Sequence, residues 1–343
     1  MKEKIFLSGG GTLGSVMPLV ALWERVGEDF ECIWIGSRKG IERVYIEGLG
    51  IKYRAITSAK FRRYLSPRTF FTPLLVFLGF LESLVYLLYF RPKAIVVSGS
   101  FISVPLVWAG WLLRVKIVAH QEDIRIGLAG KLTLPFASVK AFAFEETIKS
   151  AGGGNKIWIG NPVRKIFKNP KGAEKWKGGL PLILVLGGGL GAQKLNEEII
   201  KIAPEFNGKA RILHLTGKNK TIGNQVPNSN GYEQMEFLGD ELAEAMAASA
   251  LIVSRAGLST LGEIAALAKP SILIPLSGVG QLENAAYFEK HKAAILLQEK
   301  NIGQLEKTIL EILSDEKKRE EMAENAGKIF PADAAEKLAL LVN

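Results

Sequence analysis

A segment in the second half of the chain places residues that can bind a nucleoside diphosphate at the end of a strand. Ser254 closes an apolar run, and Arg255, Ser259 and Thr260 follow it where a helix is expected to begin. Amides and hydroxyls at such a turn can hold a diphosphate, because a helix N-terminus attracts anions. Glu263, three residues after Thr260, could accept both hydroxyls of a ribose. Taken alone, Glu263 could equally just favour the helix dipole.

A second polar group follows the next expected strand. Residues 275–288 form a loop with glycine and serine that delivers Gln281 and Asn284 at the start of another helix. Amide side chains suit the hydroxyls of a neutral sugar, although both residues could be ordinary helix caps.

The first half opens with a glycine-rich turn, residues 9–14, directly after the first expected strand. Its Gly-x-Gly-x-x-Gly spacing lets backbone amides approach a phosphate. Alone, it suggests a dinucleotide-binding domain, and Arg38 with Lys39 could hold the 2′-phosphate of NADP. An NADP oxidoreductase is therefore one interpretation, and a tight turn without a ligand is another.

Short β-rich runs that alternate with helical stretches position these segments, and this alternation is typical of parallel α/β architecture. Each half begins with a strand, a glycine-rich turn and a helix, so one fold unit occurs twice. A polar stretch, residues 161–179, is the natural linker. We predict one Rossmann-like domain over residues 1–160, a second over 161–331, and a C-terminal helix over 332–343 that packs back on the first.

The expected strands are short and apolar. In the first half they span residues 5–8, 32–36, 52–55, 94–98, 116–119, 141–144 and 157–159. In the second half they span residues 181–186, 211–215, 235–238, 251–254, 271–274 and 294–297.

The net charge of +10 lies almost entirely in the first half. Residues 1–160 hold 21 Lys/Arg against 12 Asp/Glu, a balance of +9, which leaves +1 for the remainder. Such an excess suits a polyanion, whether nucleic acid, anionic lipid or pyrophosphate. The bases are interleaved with a long aliphatic run rather than with a ladder of aromatic residues, which argues against nucleic acid.

That aliphatic run, residues 70–90, has Glu82 as its one charge. Its length would allow a membrane span, but residues 93–98 are predicted as the next core strand, which would then lie across the bilayer from its neighbours. A buried crossover helix is the simplest alternative. We favour a helix whose outer face also enters the lipid interface, because one buried face cannot use so many apolar residues.

Other residue patterns exclude several protein classes. Cys32 is the single cysteine and lies in an apolar run, which fits a buried thiol in a reducing cytoplasm. The first apolar run is too short for a secretory signal. His214 and His291 form no zinc spacing with Cys32, and no Walker lysine or Gly-x-Ser-x-Gly elbow occurs.

The order and spacing of the motifs resemble the MurG family along nearly the whole chain. The motifs that carry this likeness are the first glycine loop with Val16-Met17-Pro18, Ser98 to Pro105, His120-Gln121-Glu122-Asp123, Gly160 to Arg164, Gly187 to Ala192 with Asn196, His214 to Gly217, and Ser254 through Glu263 to Gln281 and Asn284. The resemblance implies the GT-B architecture, an α/β fold of two Rossmann-like domains that face a central cleft.

The resemblance also implies an activity, a location and a set of site residues. The chain would be an inverting transferase that moves N-acetylglucosamine from UDP-N-acetylglucosamine to lipid I, a polyprenyl-pyrophosphoryl-N-acetylmuramyl-peptide, in peptidoglycan synthesis. It would be peripheral, on the anionic cytoplasmic face of the cell membrane, with no cofactor and no nucleic acid partner. The donor would contact Arg164, Gly188, Gly189, Gly191, Arg255, Ser259, Thr260, Glu263, Gln281 and Asn284. The acceptor would contact Gly10, Gly11, Thr12, Gly14 and Asn196, with its lipid at residues 70–90.

The chain departs from the family pattern on the acceptor and catalytic side. Where the family has Gly-Gly-Thr-Gly-Gly-His, Leu13 and Ser15 replace a glycine and the histidine. Where the family has His-Glu-Gln-Asn, this chain has His-Gln-Glu-Asp at residues 120–123. In the second glycine loop, Gly189 stands at the family's usual serine. Donor chemistry is therefore better supported than the identity of the acceptor.

The catalytic base is the gap that these departures leave. An inverting transfer needs a base for the acceptor proton and groups that stabilise the leaving UDP. Without a DxD motif, Arg164 and helix N-termini would hold the UDP, with no protein-bound metal. The catalytic candidates are Asp123, Glu122, His120 and Ser15. Asp123 ranks first because it replaces an amide with a base, whereas Ser15 cannot act unaided and His120 could be structural.

Several alternatives remain open at this stage. The donor could be retained with another lipid acceptor, or the chain could be an inactive or altered-specificity relative. A UDP-sugar epimerase could share the double Rossmann layout but would not need the lipid-facing stretch. An NADP oxidoreductase would leave the second-half cluster unexplained, and a non-catalytic membrane scaffold would leave both glycine loops idle.

Overall fold

The computed structural model describes residues 2–59, 71–187, 192–220, 231–276, 278 and 280–342. The chain divides into two compact units, Met1–Arg164 with Pro331–Asn343, and Lys165–Phe330. Each unit contains one parallel sheet with helices on its faces. The predicted α/β fold class with two Rossmann-like domains is thereby confirmed.

The first unit contains a seven-stranded sheet in the order β3-β2-β1-β4-β5-β6-β7. Its strands are β1 Lys4–Ser8, β2 Glu31–Ser37, β3 Lys52–Ile56, β4 Ala94–Ser98, β5 Lys116–Gln121, β6 Val139–Phe142 and β7 Lys156–Trp158. The strand order reverses between β1 and β4, which pair in register from Ile5 with Ala94 to Ser8 with Val97. Loops at such a reversal leave a crevice at the carboxyl edge, where ligands bind in open α/β sheets.

Within the described ranges of this unit, five helices connect the strands: α1 Met17–Val26, α2 Ile41–Gly48, α3 Thr72–Phe90, α4 Ser103–Leu112 and α5 Leu128–Thr133. Alternate strand residues face two apolar cores, as the period of a strand requires. Ile5 and Leu7 pack in one core with residues of α1 and α2, whereas Phe6 packs in the other with residues of α3 and α4.

Helix α3 is held against the sheet by a small residue and by its one charge. A Cβ atom at Gly79 would lie 1.9 Å from the carbonyl oxygen of Thr57, so a larger residue would force the helix away. The Glu82 carboxylate accepts hydrogen bonds from the backbone amide and hydroxyl of Thr57 and pairs with Arg38 at 2.6 Å. These contacts orient one face of the helix toward the sheet.

The second unit contains a six-stranded sheet in the order β10-β9-β8-β11-β12-β13. Its strands are β8 Leu182–Leu186, β9 Arg211–Leu215, β10 Tyr232–Met235, β11 Leu251–Ser254, β12 Ser271–Leu273 and β13 Ile295–Leu296. Its helices are α6 Gln193–Ile202, α7 Glu241–Ala248, α8 Leu258–Ala266, α9 Gln281–Lys290, α10 Leu305–Ser314 and α11 Glu316–Gly327. The order reverses between β8 and β11, which again leaves a crevice at the carboxyl edge.

The chain returns to the first unit in helix α12, Ala334–Leu340. Leu338 and Val342 are buried in the core that α1 covers. Arg25 of α1 donates to the Glu336 carboxylate at 3.1 Å.

Most observed strands lie within two residues of their predicted bounds, and β10 differs most. It spans Tyr232–Met235, whereas the sequence indicated 235–238. This edge strand contains the polar residues Glu233 and Gln234, so the distribution of apolar residues does not predict where it lies. Short 3-10 helices also occur at Leu134–Phe136, Glu145–Ser150, Lys165–Phe167, Ala173–Trp176, Ala203–Phe206 and Glu299–Gln304.

Candidate functional site

The glycine loop of the first unit is closed on itself by Ser15. The Ser15 hydroxyl accepts a hydrogen bond from the Gly10 amide at 3.0 Å and lies 3.1 Å from the Gly10 carbonyl oxygen, to which it donates. Gly11 has φ +81, and a Cβ at Gly9 would lie 2.2 Å from the carbonyl oxygen of Ser15. Ser15 therefore shapes the loop that holds Gly10, Gly11, Thr12 and Gly14, and its buried hydroxyl is already used.

A row of serines joins this loop to the turn after β4. Ser100 donates its hydroxyl hydrogen to the Gly10 carbonyl at 3.1 Å and accepts from the Ile102 amide at 3.2 Å. Ser103 donates to the carbonyl of Ser8 at 3.0 Å. The loops after β1 and β4 thus form one hydrogen-bonded edge at the strand-order reversal.

His120 lies near the end of β5 and is buried. Its Nε2 lies 3.2 Å from the carbonyl oxygen of Gly160, which fixes the tautomer with hydrogen on Nε2. Burial lowers the pKa of His120 to about 4, so the ring is neutral at pH 7. Among the described residues, Nδ1 has no hydrogen-bond partner. A ring with so low a pKa is a weak base.

Glu122 is a buried carboxyl group that contacts the Ser98 hydroxyl at the ends of β4 and β5. Burial raises the pKa of Glu122 to about 8, and the charge of Asp123 contributes in the same direction. Asp123 is half-buried, and its backbone carbonyl accepts a hydrogen bond from Gln121 at 2.8 Å. The structure therefore brings three of the four catalytic candidates to the end of β5 and places Ser15 in the loop after β1.

Arg164, which the sequence assigns to the donor diphosphate, belongs to the first unit. Its Nη1 lies 3.4 Å from the hydroxyl of Tyr45 on α2.

In the second unit, residues predicted to bind the donor lie at the carboxyl ends of β11 and β12. Helix α8 follows β11 after the turn at Gly257 and carries Ser259 and Thr260 in its first turn. Glu263 lies one turn further and is buried. The polar residues therefore surround a helix N-terminus at the strand-order reversal, where an anion is favoured.

Gln281 begins α9 after Gly280, which has φ +81. Its Oε1 accepts a hydrogen bond from the Leu276 amide at 2.9 Å, so Gln281 binds the backbone of a residue that precedes its own helix. Its Nε2 lies 3.9 Å from a Cβ built on Gly257, which brings the starts of α8 and α9 together. Asn284 follows in the same helix and is fully buried.

Arg255 is buried and bound to its own unit. Its Nη1 donates to the Ile274 carbonyl at 3.0 Å, and its Nη2 pairs with Glu299 at 2.7 Å. The hydrogen bond from Arg255 is the main cause of the lowered pKa of Glu299. This geometry favours a role in joining β11 to β12 over a direct contact with a diphosphate.

Asn196, predicted for the acceptor, lies in the second unit on α6. Its amide donates to the Thr216 carbonyl at 2.9 Å, and its Oδ1 accepts from His214 at 3.1 Å. The other nitrogen of His214 lies 2.9 Å from the hydroxyl of Tyr232. Burial lowers the pKa of His214 to about 4, so its ring is neutral at pH 7. The hydrogen bonds among Asn196, His214 and Tyr232 join α6, β9 and β10.

Gly188, Gly189 and Gly191 lie outside the described residues. Within the described part of the chain, no group of three His, Cys, Asp or Glu side chains is arranged to hold a metal ion.

Comparison with known proteins bears on both units. The glycosyltransferase family 28 N-terminal domain model matches residues 5–141, and the family's C-terminal domain model matches residues 182–338. The chain belongs to glycosyltransferase family 28. Within this family it is a member of the MurG family, because a Clostridium tetani protein is 35% identical over 88% of this chain and 87% of its own length. That relative is named UDP-N-acetylglucosamine--N-acetylmuramyl-(pentapeptide) pyrophosphoryl-undecaprenol N-acetylglucosamine transferase.

Solved structures support the fold of this family 28 chain. The crystal structure of Acinetobacter baumannii MurG superposes with a TM-score of 0.77 at 21% identity, covering 100% of this chain and 99% of that one. A UDP-GlcNAc 2-epimerase from Neisseria meningitidis, bound to UDP-GlcNAc, gives a TM-score of 0.70 at 13% identity, covering 99% of both chains. The fold is thus shared by transferases and epimerases and does not separate them.

One residue that contacts the glycine loop of this family 28 chain is not predicted by any sequence motif. Glu42 is fully buried on α2, and its carboxylate contacts the Gly11 amide. In the sequence it is an ordinary acid in a first helical turn. No sequence pattern indicates that its side chain turns back toward the loop after β1.

Proposed function

We propose that this chain transfers N-acetylglucosamine from UDP-N-acetylglucosamine to lipid I, the polyprenyl-pyrophosphoryl-N-acetylmuramyl-peptide acceptor. The observation that carries this proposal is the 35% identity, over 88% of the chain, with a relative named for that reaction. The likeness extends through both units, since both family 28 domain models match.

The second unit would bind the donor. Ser259 and Thr260 lie in the first turn of α8, where backbone amides and hydroxyls would hold the diphosphate. Glu263 would accept the ribose hydroxyls, and Gln281 with Asn284 would contact the sugar. The glycines at 188, 189 and 191, which lie outside the described residues, would complete the diphosphate site. Arg255 would support the site through its bonds to Ile274 and Glu299.

The first unit would bind the acceptor at the edge that joins the loops after β1, β4 and β5. In the transfer, the acceptor oxygen attacks the anomeric carbon, the bond from that carbon to UDP breaks, and the base takes the acceptor proton. Asp123 is our candidate base because it is half-buried, whereas Glu122 is buried and largely protonated at pH 7. Ser15 and His120 would shape this edge.

Helix α3 would attach the chain to the cytoplasmic face of the membrane. By length and composition it could cross a membrane, with a mean hydropathy of 1.9 over 18 residues. Its contacts at Gly79 and Glu82 hold one face on the sheet, which favours an interfacial position over a span. Exposed Arg91 and Arg114 follow α3 and α4, and cations beside an exposed apolar face suit an anionic lipid surface.

The first experiment is isothermal titration of the whole chain with UDP-N-acetylglucosamine, UDP-glucose, UDP and NADPH. Wild type should bind UDP and UDP-N-acetylglucosamine, and Glu263→Ala should weaken both by at least about tenfold, because a buried carboxylate loses its ribose contacts. Glu311→Ala is the matched control, since Glu311 is an exposed helical glutamate of the same unit. Its affinities should equal those of wild type.

The outcomes separate the competing functions. Binding of NADPH without any response to UDP would overturn the glycosyltransferase proposal. Binding of UDP-N-acetylglucosamine followed by its conversion to an epimer without acceptor would favour the epimerase. Consumption of the donor only when lipid I is added, with release of UDP, would support the proposed transfer.

A further inference from the structure

Glu42 fills the space beside the first glycine loop with a carboxylate that has 0% exposure. Its Oε1 accepts hydrogen bonds from the backbone amide of Ser37, at 3.1 Å, and from the Ser37 hydroxyl. Its Oε2 accepts from the Gly11 amide at 3.3 Å. Within the described ranges of the chain, Glu42 forms no ion pair. The carboxylate therefore links the end of β2 to the loop after β1.

Two glycines make room for this carboxylate. A Cβ at Gly10 would lie 2.7 Å from the Glu42 carboxyl carbon, and a Cβ at Gly40 would lie 2.0 Å from Oε2. The sequence motif explains a glycine at position 10 by the approach of a ligand phosphate. In the structure, the Glu42 carboxyl group already lies against that glycine, together with the side chain of Ile102.

Two other backbone groups at the start of the loop form hydrogen bonds within the protein. The Gly10 amide donates to Ser15, and the Gly9 carbonyl accepts from the indole of Trp34 at 3.2 Å. Further along the loop, Thr12 is exposed and Leu13 is half-buried. In the described part of the chain, the amides of these two residues donate no hydrogen bond. The donors that an anion could use therefore lie after Gly11, toward the start of α1.

We propose that Glu42 is a positioning residue for the acceptor's diphosphate. It fixes the glycine loop by its bond to Gly11 and occupies that amide, so that phosphates bind at the amides of Thr12 and Leu13. This inference rests on the proposed function, because it takes the loop to be the acceptor's diphosphate site. The position of Glu42 also argues against NADP binding, because its carboxyl group lies against Gly10, where the sequence motif expects a phosphate to approach.

The position requires a carboxylate rather than an amide. Two donors of Ser37 and the Gly11 amide point at its two oxygens, and the Tyr53 hydroxyl, which donates to the Ser37 carbonyl at 2.6 Å, lies 3.5 Å from Oε1. A glutamine has one acceptor oxygen and would direct an NH₂ group at one of these donors. Glu42→Gln should therefore release either the loop or the end of β2, without a large change in volume.

The test is a titration of inorganic pyrophosphate into the whole chain saturated with UDP, which occupies the site proposed in the second unit. Wild type and Glu47→Gln should bind pyrophosphate equally, because Glu47 is an exposed glutamate on the same helix, paired with Arg43. Glu42→Gln should bind it at least about tenfold more weakly, the loss expected for a hydrogen bond to a charged group. With lipid I as substrate, its acceptor KM should rise by a similar factor while kcat changes less than about threefold and the donor KM is unchanged.

Each other result contradicts the proposal. Unchanged or tighter pyrophosphate binding by folded Glu42→Gln would show that Glu42 is merely structural, or that its charge opposes the anion. Failure of wild type to bind pyrophosphate would show that the loop is not an anion site. Failure of the chain to bind UDP would overturn the proposed function, and with it the proposal for Glu42, which rests on that function. If Glu42→Gln does not fold, Ser37→Ala replaces it as the test, because this variant removes one donor to Glu42 and retains the carboxylate. Ser37→Ala should weaken pyrophosphate binding about threefold. Unchanged binding by Ser37→Ala would overturn the proposal.

Discussion

At the scale of single residues, Glu122 shows how burial changes the role of a carboxyl group. The MurG family has glutamine where this chain has Glu122, and the side chain is buried against Ser98. Its pKa is raised from 4.5 to about 8, so the folded protein holds a proton at pH 7 that the unfolded chain would release. Folding stability from this group is therefore complete below pH 4.5 and is lost as the pH rises toward 8.

We predict that Glu122→Gln stabilises the protein at pH 8 and leaves it nearly unchanged at pH 5. The upper bound of the gain is on the order of 5 kcal/mol, because ionisation of the buried group costs about 1.4 kcal/mol for each pH unit between the two pKa values, 4.5 and about 8. The measurement is denaturant unfolding at both pH values. Exposed Glu145→Gln is the control and should show no such difference. Equal stability of wild type and Glu122→Gln at pH 8 would contradict a protonated Glu122.

At the scale of elements, α3 combines a face of small residues with an apolar outer face. Gly79 and Ser83 are buried, whereas Val85 and Leu88 are 64% and 61% exposed. An outer face of this kind exposes apolar area to water unless a partner or a lipid surface covers it. The proposal for the membrane therefore depends on this face and not on the helix as a spanning segment.

We predict that Val85→Glu with Leu88→Glu weakens binding to phosphatidylglycerol vesicles by at least about tenfold, since two apolar side chains would no longer enter the interface. Vesicle sedimentation measures this binding. The control is Val44→Glu, which is 79% exposed on α2, a helix that packs on the other face of the sheet. A loss no larger in the double variant than in the control would contradict attachment through α3, and UDP binding should be unchanged in both.

At the scale of the whole molecule, the end of the chain belongs to the unit in which the chain began. Residues 331–343 return to the first unit, and Leu338 of α12 is fully buried there beside residues of α1. Leu340 of the same helix is 72% exposed. The stability of the first unit should therefore depend on the last turns of the chain.

We predict that Leu338→Ala destabilises the first unit by about 2–5 kcal/mol, the usual loss for a fully buried leucine. Leu340→Ala should change the free energy of unfolding by less than about 0.5 kcal/mol. Calorimetry with and without UDP measures both effects, because a ligand of the second unit should raise only that unit's transition. A Leu338→Ala chain as stable as wild type would show that α12 is dispensable.

The sequence by itself determined the alternation of strands and helices, the two Rossmann-like units and the family. Strand periodicity and glycine-rich turns are local, so they mark β1, β8 and the loops after them. Spacing alone also predicts a donor site in the helix after β11, at residues such as Ser259 and Glu263, and their contact with a donor stays a prediction. The position of edge strand β10 could not, because its residues are largely polar.

Only the tertiary structure decided what individual side chains do. Ser15 closes its own loop, Arg255 joins two strands, and Glu42 reaches Gly11 from a position 31 residues later in the chain. Such contacts depend on how neighbouring strands and helices pack, and the spacing of residues in the sequence does not predict them. The same holds for Glu122, because its raised pKa arises from burial at the ends of β4 and β5.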